Sequence, residues 1–470
     1  MITLFILLFT YFVSFIDKPE KTAPQLSERA MEQRAKWNIP TDGMDYPVSP
    51  LYLNRLRKMD IQIYHVSRWF NGATVEMDAA TASKVLELDF VKSVEMTRDD
   101  SKPIYSLRKK QRAQFMEEGE GDYGLVTDAQ LDTYHLRALH EAGYEGQGIL
   151  MAVCDGSFHN AQKMSCFRQK ELELGHFDFT DDKDDFYGST GTHGTMCLSA
   201  ISGLTESYHG AAVKAPYYLM RSEENETESP KEMDNLVAAL EKADSLGVNV
   251  FSVSLGYALF DNSAWILPKT SLDGASTRVS LAAVIAARKG MLVCVAAGNE
   301  GNDEWHLINV PADADSILTV GAVGIDGQIG DFSSFGPTSD GRVKPDVCAV
   351  GVKAALIKPN ETMVYSNGTS FATPLLAGMA ACLWSALPEE NAMQIRERII
   401  KSSDRYTTPD MYQYGYGIPN AWKAYTGGED EGMTLPLNPT NDQPYKIIRG
   451  NQVFIVRYGH IYNLAGQCVE

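Results

Sequence analysis

Residues 231–255 read KEMDNLVAALEKADSLGVNVFSVSL. The first seventeen have a helical pattern that stops at Gly247, as helices commonly end in glycine. The next eight, VNVFSVSL, form a short and almost unbroken apolar run, which suits a strand buried on both faces of a parallel sheet. A helix feeding directly into such a strand is the repeating unit of a layered α/β domain. The same alternation extends in both directions. ILMAVC (149–154), MLVCVAA (291–297) and SILTVGAV (316–323) read as buried strands, and TRVSLAAVIAARKG (277–290) as a helix ending in glycine. The region 123–427 is therefore expected to be an α/β domain of three layers, a mostly parallel sheet with helices on both faces.

Around this domain the chain changes character. Residues 47–97 mix strand-like alternation with a short helical segment and read as a small α+β unit. Residues 98–122 crowd charges of both signs and lose apolar periodicity, the signature of a linker. The stretch 434–467 alternates apolar and polar residues around a Gly-Asn turn, so 428–470 is expected to be an appendage of two or three β-strands. The first sixteen residues, MITLFILLFTYFVSFI, are apolar enough for a signal peptide and short for a membrane span. This reading cuts the chain into a signal peptide (1–16), a segment 17–97, the linker, the α/β domain and the appendage, and implies export to the periplasm, cell surface or medium.

The chain has 470 residues with 42 Lys plus Arg against 61 Asp plus Glu, a formal net charge of −19. Such a surface excludes nucleic acid as the natural partner, because phosphate backbones are bound by basic patches. The seven cysteines are scattered and show neither a disulfide framework nor metal-ligand spacing.

In an open α/β sheet, functional groups collect where strands end. Asp155 closes the run MAVCD. His193 lies between glycines in GSTGTHGTM. Asn299 follows a strand in VAAGNEGN, and Ser370 stands in SNGTSFATP at the mouth of a helix. Each alone reads equally well as a turn or cap residue, and Pro374 is expected in the first turn of the helix that Ser370 opens. Together they supply a nucleophile, a base, an acid to orient the base, and an amide donor. A serine hydroxyl needs an imidazole to take its proton, the imidazole needs a carboxylate, and the developing oxyanion needs donors.

The segments AVCDGSF, GTHGTM, SVSLG, AAGNEG and NGTSFATP resemble the subtilisin-like serine peptidases, the subtilase family, in composition and in the chain order Asp, His, Ser. The resemblance covers most of 123–427. It implies a triad of Asp155, His193 and Ser370, an oxyanion hole made by Asn299 with the Ser370 N–H, and a peptide groove walled by Ser254, Leu255, Gly256, Ala296, Ala297 and Gly298. It also implies that 17–97 is a propeptide inhibiting the chain's own groove, that the linker holds the processing site, and that proteins or peptides are the substrates. No cofactor is required. Calcium can steady such folds, but the acidic run 178–185 shows no defined calcium loop. Gly156-Ser157, Met196 and Leu375 depart from the usual family pattern. The alternative is an inactive subtilase-fold binding or scaffold protein. An esterase is excluded by the absence of a Gly-x-Ser-x-Gly elbow, and a dinucleotide fingerprint by GYEGQG (143–148) preceding its strand.

Overall fold

The computed structural model describes residues 8–20, 22–98, 123–167, 169–180, 185–188, 191–224, 228–428, 445–449, 452–457 and 460–463. The linker expected at 98–122 lies almost wholly outside them, as do parts of the acidic run 178–185. The chain divides into two compact units, residues 1–425 and 426–470.

The first unit opens with an N-terminal domain of seven elements: β1 (Phe9–Phe15), α1 (Glu28–Lys36), α2 (Pro50–Arg57), β2 (Gln62–Ser67), β3 (Gly72–Met77), α3 (Ala79–Leu86) and β4 (Val91–Arg98). Its sheet is antiparallel in the order β2-β3-β1-β4, with Val13 opposite both Ala73 and Val94. This corrects the reading of 1–16 as a signal peptide and of the α+β unit as confined to 47–97. Residues 9–15 are an interior strand of that sheet. The cause of the misreading is physical. Tyr11, Val13 and Phe15 enter the domain's own core, while Thr10 and Phe12 on the opposite face are also buried. A strand covered on both faces has no polar alternation to declare itself.

The α/β domain follows as α4 (Tyr123–Asp132), α5 (Leu136–Glu141), β5 (Met151–Asp155), β6 (Glu173–Asp178), α6 (His193–Ser202), β7 (Tyr217–Arg221), α7 (Lys231–Leu246), β8 (Val250–Val253), α8 (Arg278–Arg288), β9 (Leu292–Ala296), β10 (Leu318–Val323), β11 (Val347–Val350), β12 (Ala354–Ile357), β13 (Met363–Ser366), α9 (Thr369–Ala386), α10 (Ala392–Ser402) and α11 (Ala421–Thr426). Seven strands form one parallel sheet in the order β11-β10-β9-β8-β5-β7-β6. Successive side chains of a strand point to opposite faces. Met151 and Val153 accordingly join one core with α6 and α9, while Ala152 and Cys154 join the other with α7 and α8. These are the three layers. Helix α9 is apolar on every side from Leu375 to Trp384 because that stretch is buried in the first core.

The N-terminal sheet lies on α7 and α8. His65 Nε2 is 2.8 Å from Asn235 Oδ1, the Thr74 hydroxyl donates to Asp234 at 3.1 Å, and the Arg278 guanidinium stacks 4.2 Å over Phe12. Residues 17–49, between β1 and α2, reach further. Ser27 N–H donates to Ser245 O, and Arg29 reaches Gly247 O and Asn249 Oδ1. Trp37 packs against Trp384 with ring centroids 5.5 Å apart. Asn249 immediately precedes β8 and Trp384 lies in the last turn of α9, so this strap runs along the pole of the sheet opposite the strand exits.

The second unit contains β14 (Tyr445–Arg449), β15 (Gln452–Arg457) and β16 (His460–Asn463), an antiparallel meander.

Candidate active site

Strand register builds the site. Cys154, Val253 and Val295 pair across β5, β8 and β9 in one row, so the next residues, Asp155, Ser254 and Ala296, emerge side by side at the carboxyl edge of the sheet. Strand β5 is where the winding reverses, since the chain goes outward to β6 and β7 on one side and to β8–β11 on the other. Crevices form at such a point.

Asp155 is 1% exposed, and its two carboxylate oxygens each lie 2.9 Å from His193 Nδ1, while Oδ1 also accepts from Gly156 N–H at 2.8 Å. With Nδ1–H donating to Asp155, the other ring nitrogen, Nε2, is the one able to take a proton. Burial by itself lowers the pKa of the imidazole. The Asp155 carboxylate outweighs that effect and holds the imidazole pKa well above its ordinary range. Close approach of α6 to β5 requires Gly194, because a Cβ there would fall 2.3 Å from Ser157 O and 2.7 Å from Asp155 Cβ.

Ser370 is the second residue of α9, whose cap is Gly368 at φ 157°. It is thus not the helix cap. Its hydroxyl donates to Ser254 O at 3.2 Å. Pro374 is the sixth residue of α9 and not in its first turn as expected. Asn299 is oriented through its carbonyl oxygen, which accepts from Thr369 N–H at 2.9 Å and Thr369 Oγ1 at 3.1 Å. Its amide nitrogen donates to no described residue and belongs to the cleft wall. The turn beneath is held by Glu300, whose Oε2 accepts from Asn299 N–H, Asn309 Nδ2 and Ser334 Oγ. The cleft itself measures about 310 Å³ and brings together Asp155, His193, Ser254, Leu255, Gly256, Ala296, Gly298, Asn299 and Ser370.

Ala297 does not join them, which corrects its placement in the groove wall. It is fully buried in the second core, its N–H donates to Val320 O, and its carbonyl accepts from Asn309 N–H. Thr369, Glu300 and Asn309 are site residues that the sequence reading missed. Thr369 adjoins Ser370, and Glu300 adjoins Asn299, so adjacency to a candidate was the only signal available. Met196 lines the cleft and Leu375 is buried in the core. All six described cysteines are buried, and burial pushes the Cys154 thiol far up.

The profile of the subtilase family, Peptidase S8, matches residues 146–417. The chain belongs to the subtilase family. A second profile, the Peptidase S8 propeptide domain of Bacteroidota, matches residues 10–114 of this subtilase and so includes β1. Subtilisin amylosacchariticus from Bacillus subtilis subsp. amylosacchariticus is 28% identical over 330 residues, covering 69% of this chain and 78% of the relative. Subtilisin DY from Bacillus licheniformis is 31% identical over 288 residues, 59% of this chain and 91% of the relative. Among solved structures, the prenylagaramide maturation protease PagA superposes with a TM-score of 0.50 at 24% identity, covering 62% of this chain and 98% of its own. MycP1 from the ESX-1 type VII secretion system gives 0.51 at 21%, covering 66% and 88%. Both share the subtilisin-like fold. The subtilase is a serine peptidase that carries its own propeptide domain.

Proposed function

We propose that this subtilase is an endopeptidase made as a self-processed zymogen, with Ser370 as nucleophile, His193 as general base, Asp155 as its orienting acid, and Asn299 with the Ser370 N–H as the oxyanion hole. The observation that carries the reading is the pairing of both Asp155 oxygens with His193 Nδ1 in the same cleft as Ser370 and Asn299. In this reading His193 Nε2 takes the Ser370 proton as Oγ attacks the scissile carbonyl, and returns it to the leaving amine. Ser254, Leu255, Gly256, Ala296 and Gly298 flank an extended substrate, which binds as an added strand. These side chains supply the chemistry unaided.

The propeptide domain is the inhibitor of the groove, and the linker at 98–122 is the bond-bearing segment that the enzyme cuts in itself. Export is carried here by the likeness to subtilisins alone, since the apolar run that first pointed to it is strand β1. The test pairs wild type with Ser370→Ala. Wild type should hydrolyse casein, take a fluorophosphonate at Ser370 and lose its N-terminal part, with masses placing the cut in the linker. Ser370→Ala should do none of these in a host lacking other peptidases. If it is trimmed at the same bond by purified components, Ser370 is not the nucleophile. If wild type stays full length yet digests casein, the zymogen reading fails.

A further inference from the structure

Proline at position 374 removes one N–H from the second turn of α9. In an α-helix that group would donate to the carbonyl four residues earlier, which here is the carbonyl of Ser370. A buried carbonyl left without a partner is costly, so some other donor must serve it. Two do. The Ser254 hydroxyl donates to Ser370 O at 2.7 Å, and the Cys197 thiol donates to it at 3.4 Å. Ser370 Oγ in turn donates to Ser254 O at 3.2 Å, so the two serines are joined side chain to backbone in both directions. Ser254 is rigidly based, since it directly follows β8 in the middle of the parallel sheet and is 5% exposed.

From this geometry we infer that Ser254 is a positioning residue for the nucleophile. Its hydroxyl replaces the hydrogen bond that Pro374 withholds and fixes the first turn of α9 against the end of β8. The inference rests on the reading of Ser370 as nucleophile. The pinned turn carries both the Ser370 hydroxyl and the Ser370 N–H, so a small displacement misplaces attack and oxyanion donation together. Cys197 is the weaker donor, a thiol at a longer distance. Because the Ser254 backbone carbonyl is unaffected by truncating the side chain, Ser254→Ala removes the pin and leaves the resting contact of Ser370 Oγ in place.

The relation between Ser254 and Pro374 can be tested by a double-mutant cycle, since Pro374→Ala restores the missing N–H and makes the Ser254 hydroxyl redundant. Loss of one such hydrogen bond in a buried site corresponds to roughly tenfold in rate. Wild type, Ser254→Ala, Pro374→Ala and the double variant are compared by kcat and KM on a chromogenic peptide and by the rate of fluorophosphonate labelling at Ser370. The expected result is a drop of about tenfold in kcat and in labelling rate for Ser254→Ala, with KM little changed, and a drop of less than about threefold when the same change is made in Pro374→Ala. Ser254→Thr, which keeps the hydroxyl, should recover most of the lost rate. Equal losses in both backgrounds, or a loss confined to KM, overturn the inference. If Ser254→Ala does not accumulate as folded protein, recovery of folded, labelled enzyme in the double variant supports the inference and failure to recover it overturns it. Absence of labelling at Ser370 in wild type is a different result, which removes the nucleophile reading itself.

Discussion

Two opposed effects act on the His193 imidazole. Partial burial disfavours its charged form, while the Asp155 carboxylate favours it, and the net pKa stands well above the ordinary 6.5. A general base works only when neutral, so kcat/KM should climb with pH and level off only above that raised pKa. In Asp155→Asn the carboxylate charge that raises the imidazole pKa is gone, so the acid limb should move to lower pH while the plateau falls by roughly 10⁴. A pH–rate series on a chromogenic peptide checks both, and an unmoved limb would show that Asp155 does not set the imidazole's proton affinity. Asn299→Ala should lower kcat by about 10²–10³ with KM nearly constant, the magnitude known for the equivalent donor of a subtilisin. A loss expressed wholly in KM would contradict that role. Candidate residues at strand exits were legible because their neighbours were glycines and apolar runs. The residues holding them were not, since Glu300 meets Ser334 across 34 positions and Thr369 meets Asn299 across 70. Ala297 was misplaced because alternate residues of an extended segment face opposite ways. Ala296 and Gly298 face the cleft and Ala297 the core.

Helix α6 starts at His193 and is driven against β5 by the absence of a side chain at position 194. Adding one methyl group there would meet Ser157 O and Asp155 Cβ at 2.3 and 2.7 Å, closer than packed atoms allow, and Asp155 is held by the sheet as the last residue of β5. Gly194→Ala should therefore push the helix start away from the strand. Overpacking of this kind costs about 1–3 kcal/mol, which for a domain of this class corresponds to a fall in Tm of roughly 2–4 °C per kcal/mol. The Asp155–His193 contact should be lost as well, so activity should fall far more than stability does. Calorimetry and peptide hydrolysis on the same preparation check this, and a variant of unchanged activity would show that the helix can slide. The central strands and α7–α8 were legible because elements buried on both faces, or on one stripe, leave a periodic mark in the sequence. Strand β6, at the sheet edge, alternates between half-buried and exposed, and β11 to β13 are four residues each, too short to show a period. Those elements owe their form to the sheet they join.

On the scale of the whole molecule, the N-terminal domain is held at two places, its sheet on α7 and α8 and its strap at the far pole. Asp244, near the end of α7, joins them. Arg34 of the strap donates to it at 2.7 and 2.9 Å, and Arg68 beside β2 donates at 2.5 Å. All three side chains are nearly fully buried, and Arg34 also pairs with the buried Asp45, which in turn pairs with Lys289 of the α/β domain. The chain's acidic balance hinted at none of this, because partners 176 and 210 residues apart carry no local signal. Buried pairs are screened little by salt, whereas removing one partner leaves a stranded charge and costs about 3–5 kcal/mol. The propeptide domain should accordingly stay bound after the linker is cut, and stay bound in 1 M salt (on the order of a 3 Å screening length). Asp244→Ala strands Arg34 and Arg68 only in part, since Asp45 and Glu241 still face them, so its retention should weaken by roughly 10². The measurement uses Ser370→Ala protein nicked briefly with trypsin at the basic run Arg108–Arg112 and then passed over a sizing column at low and high salt. Co-elution of both pieces at either salt, with separation in Asp244→Ala, is the expected pattern. Salt-induced separation in the unaltered interface would mean that water reaches these pairs and that the strap is not what holds the domain.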